Sequence, residues 1–275
     1  MERRDLWRVV TFNIWNRSGP WPERLPLIRD QLRALDADVI ALQEVLGFSG
    51  LPSQADEIAR GTGWNVHHGP AWEIGGGLTM GNAILSPHAL SDTAVLPLPT
   101  PPGLETRTVA FARVAAPHGP IPVFATHLTF QLHLGHVRCQ QVRALADHVA
   151  ERAPIEGPPP VILGDFNAPP DADEIRFLRG LTSLGGRSVY FADCWMMCPG
   201  DPGITYDRRN PYALRSHEPS YRIDYVFVRG PDRQLRGEPI AARLALDRPT
   251  GEVWPSDHYA VVAEIYAAPR PHDPY

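Results

Sequence analysis

The chain has 275 residues, enough to bury a large core, and its 43% hydrophobic and 21% charged content is that of a globular protein. A net charge of −5 is not that of a non-specific nucleic-acid binder, although seven arginines (Arg208, Arg209, Arg215, Arg222, Arg229, Arg233 and Arg236) fall in the stretch 206–236 and leave the partner open. All 26 basic residues are Arg, which excludes every mechanism that needs a lysine amine: Schiff bases, the Walker-type phosphate loop and Ser-x-x-Lys acyl enzymes.

In chain order, the start "MERRDLWRVVTF" has no signal-type apolar stretch, and no later run approaches the roughly 20 residues of a membrane span. A cytoplasmic monomer is therefore expected. "RVVTFNIW" (8–15) is apolar and β-branched and reads as a strand. Leu25, Ile28, Leu32 and Leu35 have helical spacing. "DVIALQEV" is a buried strand carrying Glu44 near its end. "GGGLTMGN" (75–82) reads as a mobile glycine-rich loop, not a phosphate cradle, since no Lys-Ser/Thr follows. "NAILS" (82–86), "RTVAFARV" (107–114) and "IPVFATHL", which carries His127, read as strands. A helix near 136–152 has Val137, Val142, Leu145 and Val149 apolar. "VILGDFN" is the next strand, a helix near 172–181 follows two prolines, and "YRIDYVFVRG" and "DHYAVVAEIY" are late strands. The 30 prolines are spread through connections, so one domain over 1–275 is the simplest organisation. Cys139, Cys194 and Cys198 do not make a disulfide framework, and the last two read as small buried hydrophobes.

Polar groups recur at strand ends: Asn13, Glu44, His127, Asp165 with Asn167, Asp224, and Asp257 with His258. Such groups are costly there unless partnered, and the ends of packed strands converge on a rim, so one shared site is expected. Glu44, Asp165 and Asp257 with the amides of Asn13 and Asn167 are hard oxygen donors, which suit Mg²⁺ or Mn²⁺ better than Zn²⁺. Zinc at His127, His133 and His136 is the minority reading, because the last two fall in a loop and at a helix start. Residues two apart on a strand share a face, so Asp165 and Asn167 can address one point. His127 and His258 can donate to phosphoryl oxygens, and Arg107 can offer a planar fork, although Arg107 with Glu105 also reads as a plain surface pair. Asp224 can fix the tautomer of His258 or simply pair with Arg222. Trp21, Trp72 and Trp254 flank these segments, as substrate contacts or as ordinary packing.

"TFNIW", "LQEV", "THL", "GDFN", "RIDYVFV" and "SDH" stand in the order seen in the endonuclease/exonuclease/phosphatase superfamily, which this chain resembles over residues 9–265. The resemblance implies an α+β, DNase I-like fold: a four-layer α/β/β/α sandwich of two mixed β-sheets flanked by helices. It implies that Asn13 and Glu44 hold a divalent metal, with Asp257 near it. Asp165, assisted by Asn167, would activate the attacking water. Asp224 would orient His258 on the scissile phosphate, and His127 would stabilise the developing charge. Asp193, Trp195, Thr205, Tyr206, Asp207 and Asn210 match positions of sphingomyelinase-like and tyrosyl-DNA phosphodiesterase-like members, with Thr205 and Tyr206 as candidate substrate contacts. Inositol polyphosphate phosphatases carry a different sequence after the Asp-Asn motif, where this chain has "NAPP". The expected activity is metal-dependent hydrolysis of a phosphoester, a phosphodiester first, in nucleic acid or nucleotide. A phospholipid substrate, or a non-catalytic phosphate-binding scaffold, are the alternatives.

Overall fold

A computed structural model of the chain describes residues 2–198, 200–230, 232, 234 and 236–268, which leaves Arg233 outside. The elements, in order, are β1 (Leu6–Asn13), α1 (Trp21–Ala34), β2 (Val39–Phe48), α2 (Gln54–Ala59), β3 (Asn65–Gly75), β4 (Leu78–Ser86), β5 (Leu90–Leu98), β6 (Arg107–Val114), β7 (Ile121–His127), α3 (Gly135–Arg152), β8 (Val161–Asp165), α4 (Asp173–Leu178), β9 (Ala192–Asp193), α5 (Cys194–Met197), β10 (Asp224–Val228), β11 (Pro239–Ala245) and β12 (Ala260–Tyr266). They form two six-stranded sheets, ordered β11-β12-β1-β2-β4-β3 and β5-β6-β7-β8-β10-β9. Both are mixed: β1 runs parallel to β2 and β7 parallel to β8, and the other pairs are antiparallel.

Alternation along each strand builds three apolar layers. Trp7 and Val9 of β1, Val39 and Ala41 of β2, Val123 and Ala125 of β7, and Val161 and Leu163 of β8 meet between the sheets. The intervening residues point outward. Val10, Phe12, Ile40 and Leu42 pack under Ile28 and Leu32 of α1 and Ile58 of α2. Phe124, Ile162 and Phe227 pack under Val142, Leu145 and Val149 of α3 and Ile175 of α4. Each fully buried side chain of this kind contributes about 1.5–3 kcal/mol of transfer free energy. The result is the expected α+β sandwich of two sheets between two helical layers.

Two expectations are corrected. The segment 75–82 is not a loop: Gly75–Gly77 turn a hairpin, and Leu78 onward is β4, paired to both β2 and β3. Arg222 does not pair with Asp224: it is buried, with both Nη atoms on Asp193 at 2.9 and 2.8 Å.

At Gly164, β8 has no room for a side chain beside β7. A Cβ there would stand 2.1 Å from the Thr126 carbonyl oxygen, and the backbone cannot yield that much. Gly164→Ala is expected to destabilise by more than the ~1–3 kcal/mol usual for overpacking, read as a fall in the urea midpoint or loss of soluble protein.

Candidate active site

Strand direction brings the motifs together. The parallel pairs β1/β2 and β7/β8 deliver their C-terminal ends to one rim, and the antiparallel strands β10 and β12 begin at it. Register fixes the depth: His127 stands opposite Asp165, and Asp165 opposite Asp224. Asn13, His127, Asp165 and Asp224 continue the inward alternation of Val9, Val123, Leu163 and Val226, so each is the inward residue at its strand's rim end.

Glu44 arrives by another route. Leu42 and Val45, three apart, both face the helical layer, and the β2–β4 register shifts between them. Gln43 and Glu44 are thus bulged together, with Glu44 at φ +59°, a left-handed conformation unusual for a non-glycine residue. Asn167 also lies outside the alternation argument. β8 ends at Asp165, and Asn167 sits in the following turn at φ +50°, its N–H donating to Asp165 Oδ1 at 2.9 Å and its Nδ2 to Leu128 O at 3.1 Å. The pair converges through an Asx turn, which asparagine tolerates better than most residues.

At the floor, His258 Nδ1 donates to Asp224 Oδ2 at 2.9 Å, and its Nε2 lies 3.7 Å from Asp165 Oδ2. His127 Nε2 stands 3.5 Å from the same oxygen, which also accepts from Asn13 Nδ2 at 3.0 Å. Arg107 does not form a surface pair: it is 5% exposed, donates to Glu105 at 2.8 Å, and places Nη1 3.4 Å from His127 Nδ1. Because guanidinium only donates, His127 Nδ1 is the acceptor and its proton sits on Nε2, facing Asp165. Burial, then the charges of Arg107 and His258, lower His127 well below its usual range, so it is neutral at pH 7. Burial would also lower His258, but Asp224, Asp165 and Asp257 outweigh it and raise this imidazole well above its usual value. Burial and the Asp224 charge push Asp165 up to about 7 against the pull of His258 and Asn13. Ligand atoms of Asp165, Asp224 and His258 lie within 4.8 Å of one another. The ring-to-carboxylate hydrogen bond suits a shared proton there better than a metal.

The floor opens into a cleft of about 240 Å³ whose walls include Asn16, Glu44, Arg107, Asn167, Tyr206, Glu218 and Asp257. Glu44 and Asp257 both line it and form no ion pair among the described residues. Burial, with Glu44 adding to it, raises Asp257 to about 6. A buried carboxylate at Asp257 and a half-buried one at Glu44, neither in an ion pair among the described residues, are a hard-oxygen site that a divalent cation fits. Asn13 is placed as a donor, with Nδ2 3.3 Å from Glu44 Oε1 and its own Oδ1 accepting from Trp15 N at 3.0 Å. Its amide would have to turn over to offer an oxygen to a cation.

Tyr206 lines the cleft, its ring 4.9 Å from that of His258. Thr205 does not; it is fully buried, and its Oγ1 accepts from the N–H groups of Ile223 and Asp224 at 3.1 and 3.2 Å, which fixes the start of β10. Trp21 is buried, Trp254 stacks on Tyr259, and Trp72 lines a small recess behind Arg107 and His127. Asn16, Glu218, Met80 and Phe130 also line the cleft, although no sequence signal singled them out. Asn16 Nδ2 donates to Glu44 Oε2 at 2.8 Å. Its place three residues past Asn13 was the one available hint.

Solved structures share this architecture. An endonuclease/exonuclease/phosphatase from Beutenbergia cavernae superposes with TM-score 0.73 at 24% identity, covering 96% of this chain and 72% of that one. Truncated Caenorhabditis elegans TDP2 gives 0.72 at 17%, covering 95% and 98%. The human Nocturnin catalytic domain, solved with a bound sulfate anion, gives 0.71 at 20%, covering 96% and 94%. A search of curated protein sequences finds no match. The sequence model of the Endonuclease/Exonuclease/phosphatase family, however, matches residues 10–258, and with the rim geometry above it places this chain in that family.

Proposed function

We propose that the protein is a divalent-metal-dependent phosphodiesterase acting on nucleic acid or nucleotide, with Mg²⁺ or Mn²⁺ as cofactor. The observation that carries this reading is the buried Asp224–His258 pair aimed at Asp165, beside His127, on the floor of a cleft whose wall holds Glu44 and Asp257. Glu44 and Asp257 would hold the cation, with Asn13 and Asn16 orienting Glu44. A bound cation would polarise a phosphoryl oxygen and neutralise developing charge.

The remaining steps belong to the chain. Asp165, held by Asn13 and by the Asn167 N–H, accepts the proton of the attacking water, and a value of about 7 suits a base working near neutrality. Asn167 positions that water. His258, kept cationic by Asp224, donates from Nε2 to a non-bridging phosphoryl oxygen, and neutral His127 donates its Nε2–H to another. Arg107, fixed by Glu105, lines the cleft and lends its positive charge to the phosphoryl group. Tyr206 packs on the His258 ring and limits its swing.

A second reading, a phospholipid phosphodiester, is favoured by Phe130, an apolar side chain that lines the cleft and is left 44% exposed. Assay of DNA, RNA, dinucleotides, sphingomyelin vesicles and an aryl phosphodiester with Mg²⁺ or Mn²⁺ separates the two. Chelation should abolish turnover, and His258→Ala should lower it by at least ~100-fold, the loss usual for one charge-stabilising donor. Full activity in that variant, or no hydrolysis of any of these esters by the wild type, would overturn the assignment.

A further inference from the structure

Arg24, in the first turns of α1, is among the largest fully buried side chains, and it lies beneath the cleft wall, not in it. It forms no ion pair among the described residues. Its partners are backbone carbonyls: Nε donates to Pro255 O at 2.9 Å, Nη1 to Ser18 O at 2.6 Å and to Asn16 O at 3.5 Å, and Nη2 to Ile14 O. The guanidinium is 5.0 Å from the Trp15 ring centre and 5.4 Å from that of Trp21. Burial lowers it only to about 10, so it stays charged at neutral pH, and Asp257 and Glu44 are among the groups that feel that charge.

The carbonyls belong to two separate stretches. One, residues 14–18, follows Asn13 and carries Asn16, which braces Glu44; in it Trp15 and Asn16 stand in succession at φ +54° and +37°. Such left-handed non-glycine residues persist only where the surroundings hold them. The other is Pro255, two residues before Asp257. We infer that Arg24 is a positioning residue that clamps these two stretches together and so sets the spacing between Glu44 and Asp257 for a single divalent cation. The inference rests on the reading that these two carboxylates hold the metal. The choice of partners fits the task. A planar five-donor fork can serve four carbonyls at once, which an ammonium cannot. Because its partners are carbonyls, the clamp ties up no carboxylate oxygen in an ion pair, and both side chains keep their oxygens for the cation.

The test is direct Mn²⁺ binding, read from the electron paramagnetic resonance of free Mn²⁺, together with thermal melting and turnover, for the wild type, Arg24→Lys and Arg138→Lys. Arg138 is another buried arginine, on α3 under the other sheet, bound to Glu174, Thr129 O and Gln131 O, and it controls for general loosening. Arg24→Lys should weaken Mn²⁺ about 10- to 100-fold, the range seen when residues behind metal ligands are changed, with kcat at saturating metal largely retained. Arg138→Lys should lower the melting temperature without moving Mn²⁺ affinity. Equal Mn²⁺ affinity in Arg24→Lys and wild type, or equal weakening in both variants, overturns the inference. If the wild type itself takes up no Mn²⁺, the metal reading falls and this inference with it. Should Arg24→Lys fail to fold, hydrogen exchange of the metal-free wild type decides. Residues 14–18 and 256–258 must already be as protected as β1; fast exchange there until metal is added overturns the clamp.

Discussion

Asp224→Asn is expected to lower kcat by about a thousand- to ten-thousand-fold, the loss seen when the carboxylate behind a catalytic imidazole becomes an amide. The reason lies in the floor of the site. Asp224 is fully buried, its Oδ2 accepts from His258 Nδ1 at 2.9 Å, and its Oδ1 has no hydrogen-bond partner, so His258 is the chief beneficiary of its charge. An amide oxygen can still accept from Nδ1–H, but it no longer offsets the burial that by itself would lower His258. The folded-state value of this histidine then falls, held up only by Asp165 and Asp257, and the cationic form is lost at a lower pH than in the wild type. The wild type should hold its activity well into the alkaline range, because the acid that must stay protonated has a raised value. In the variant the alkaline limb should move to lower pH. The backbone of Asp224 remains tied to Thr205 Oγ1, so the melting curve should change far less than the rate. An alkaline limb that stays in place would show that Asp224 acts on something other than the charge of His258.

The sites of this protein were more legible in its sequence than its edges. Interior strands announce themselves by apolar alternation, and the same alternation that sends Val9, Val123, Leu163 and Val226 inward also sends Asn13, His127, Asp165 and Asp224 inward at the rim. The strands without a sequence signal are β3, β5, β9 and β11, which are the four edges of the two sheets. Edge strands show solvent on one flank and admit residues that read as breakers. β5 contains Pro97, and β3 carries His67, His68, Gly69 and Pro70 with only Gly69 fully buried. Glu44 was found for its motif and not for its geometry, since nothing in "LQEV" reveals a bulge. Asn167 was likewise grouped with Asp165 by an argument about strand faces, although a turn places it in the cleft. Arg24 reads as one more polar residue of an amphipathic helix; only the inward-turned carbonyls of the 14–18 loop and Pro255 show its role.

Asp165→Asn should abolish turnover, by about ten-thousandfold at the upper end for loss of a general base, and yet make the metal-free protein more stable at alkaline pH. Burial and the Asp224 charge raise Asp165 to about 7, against an ordinary 3.8. A carboxyl whose folded value lies above its unfolded one keeps its proton longer in the folded state. Stability therefore falls as pH rises between roughly 4 and 7, and the full penalty remains above that window. His258, also raised, adds a loss of the same sign as pH climbs from its unfolded value through its folded one. An uncharged amide at 165 removes the first penalty. It gives back part of the gain, because it has one oxygen where Asp165 uses two, for Asn13 Nδ2 and for the Asn167 N–H, and because His258 loses one of the charges that raise it. The net gain expected at pH 8 in chelator is on the order of 1–2 kcal/mol, vanishing near pH 4. Urea denaturation of both proteins at pH 5 and pH 8 checks it. If the variant is destabilised equally at the two pH values, no strained carboxylate sits at 165 in the folded state, and its assignment as the base loses its physical ground. A stabilised but inactive variant would instead identify the carboxylate that does the chemistry as one the fold tolerates at a cost.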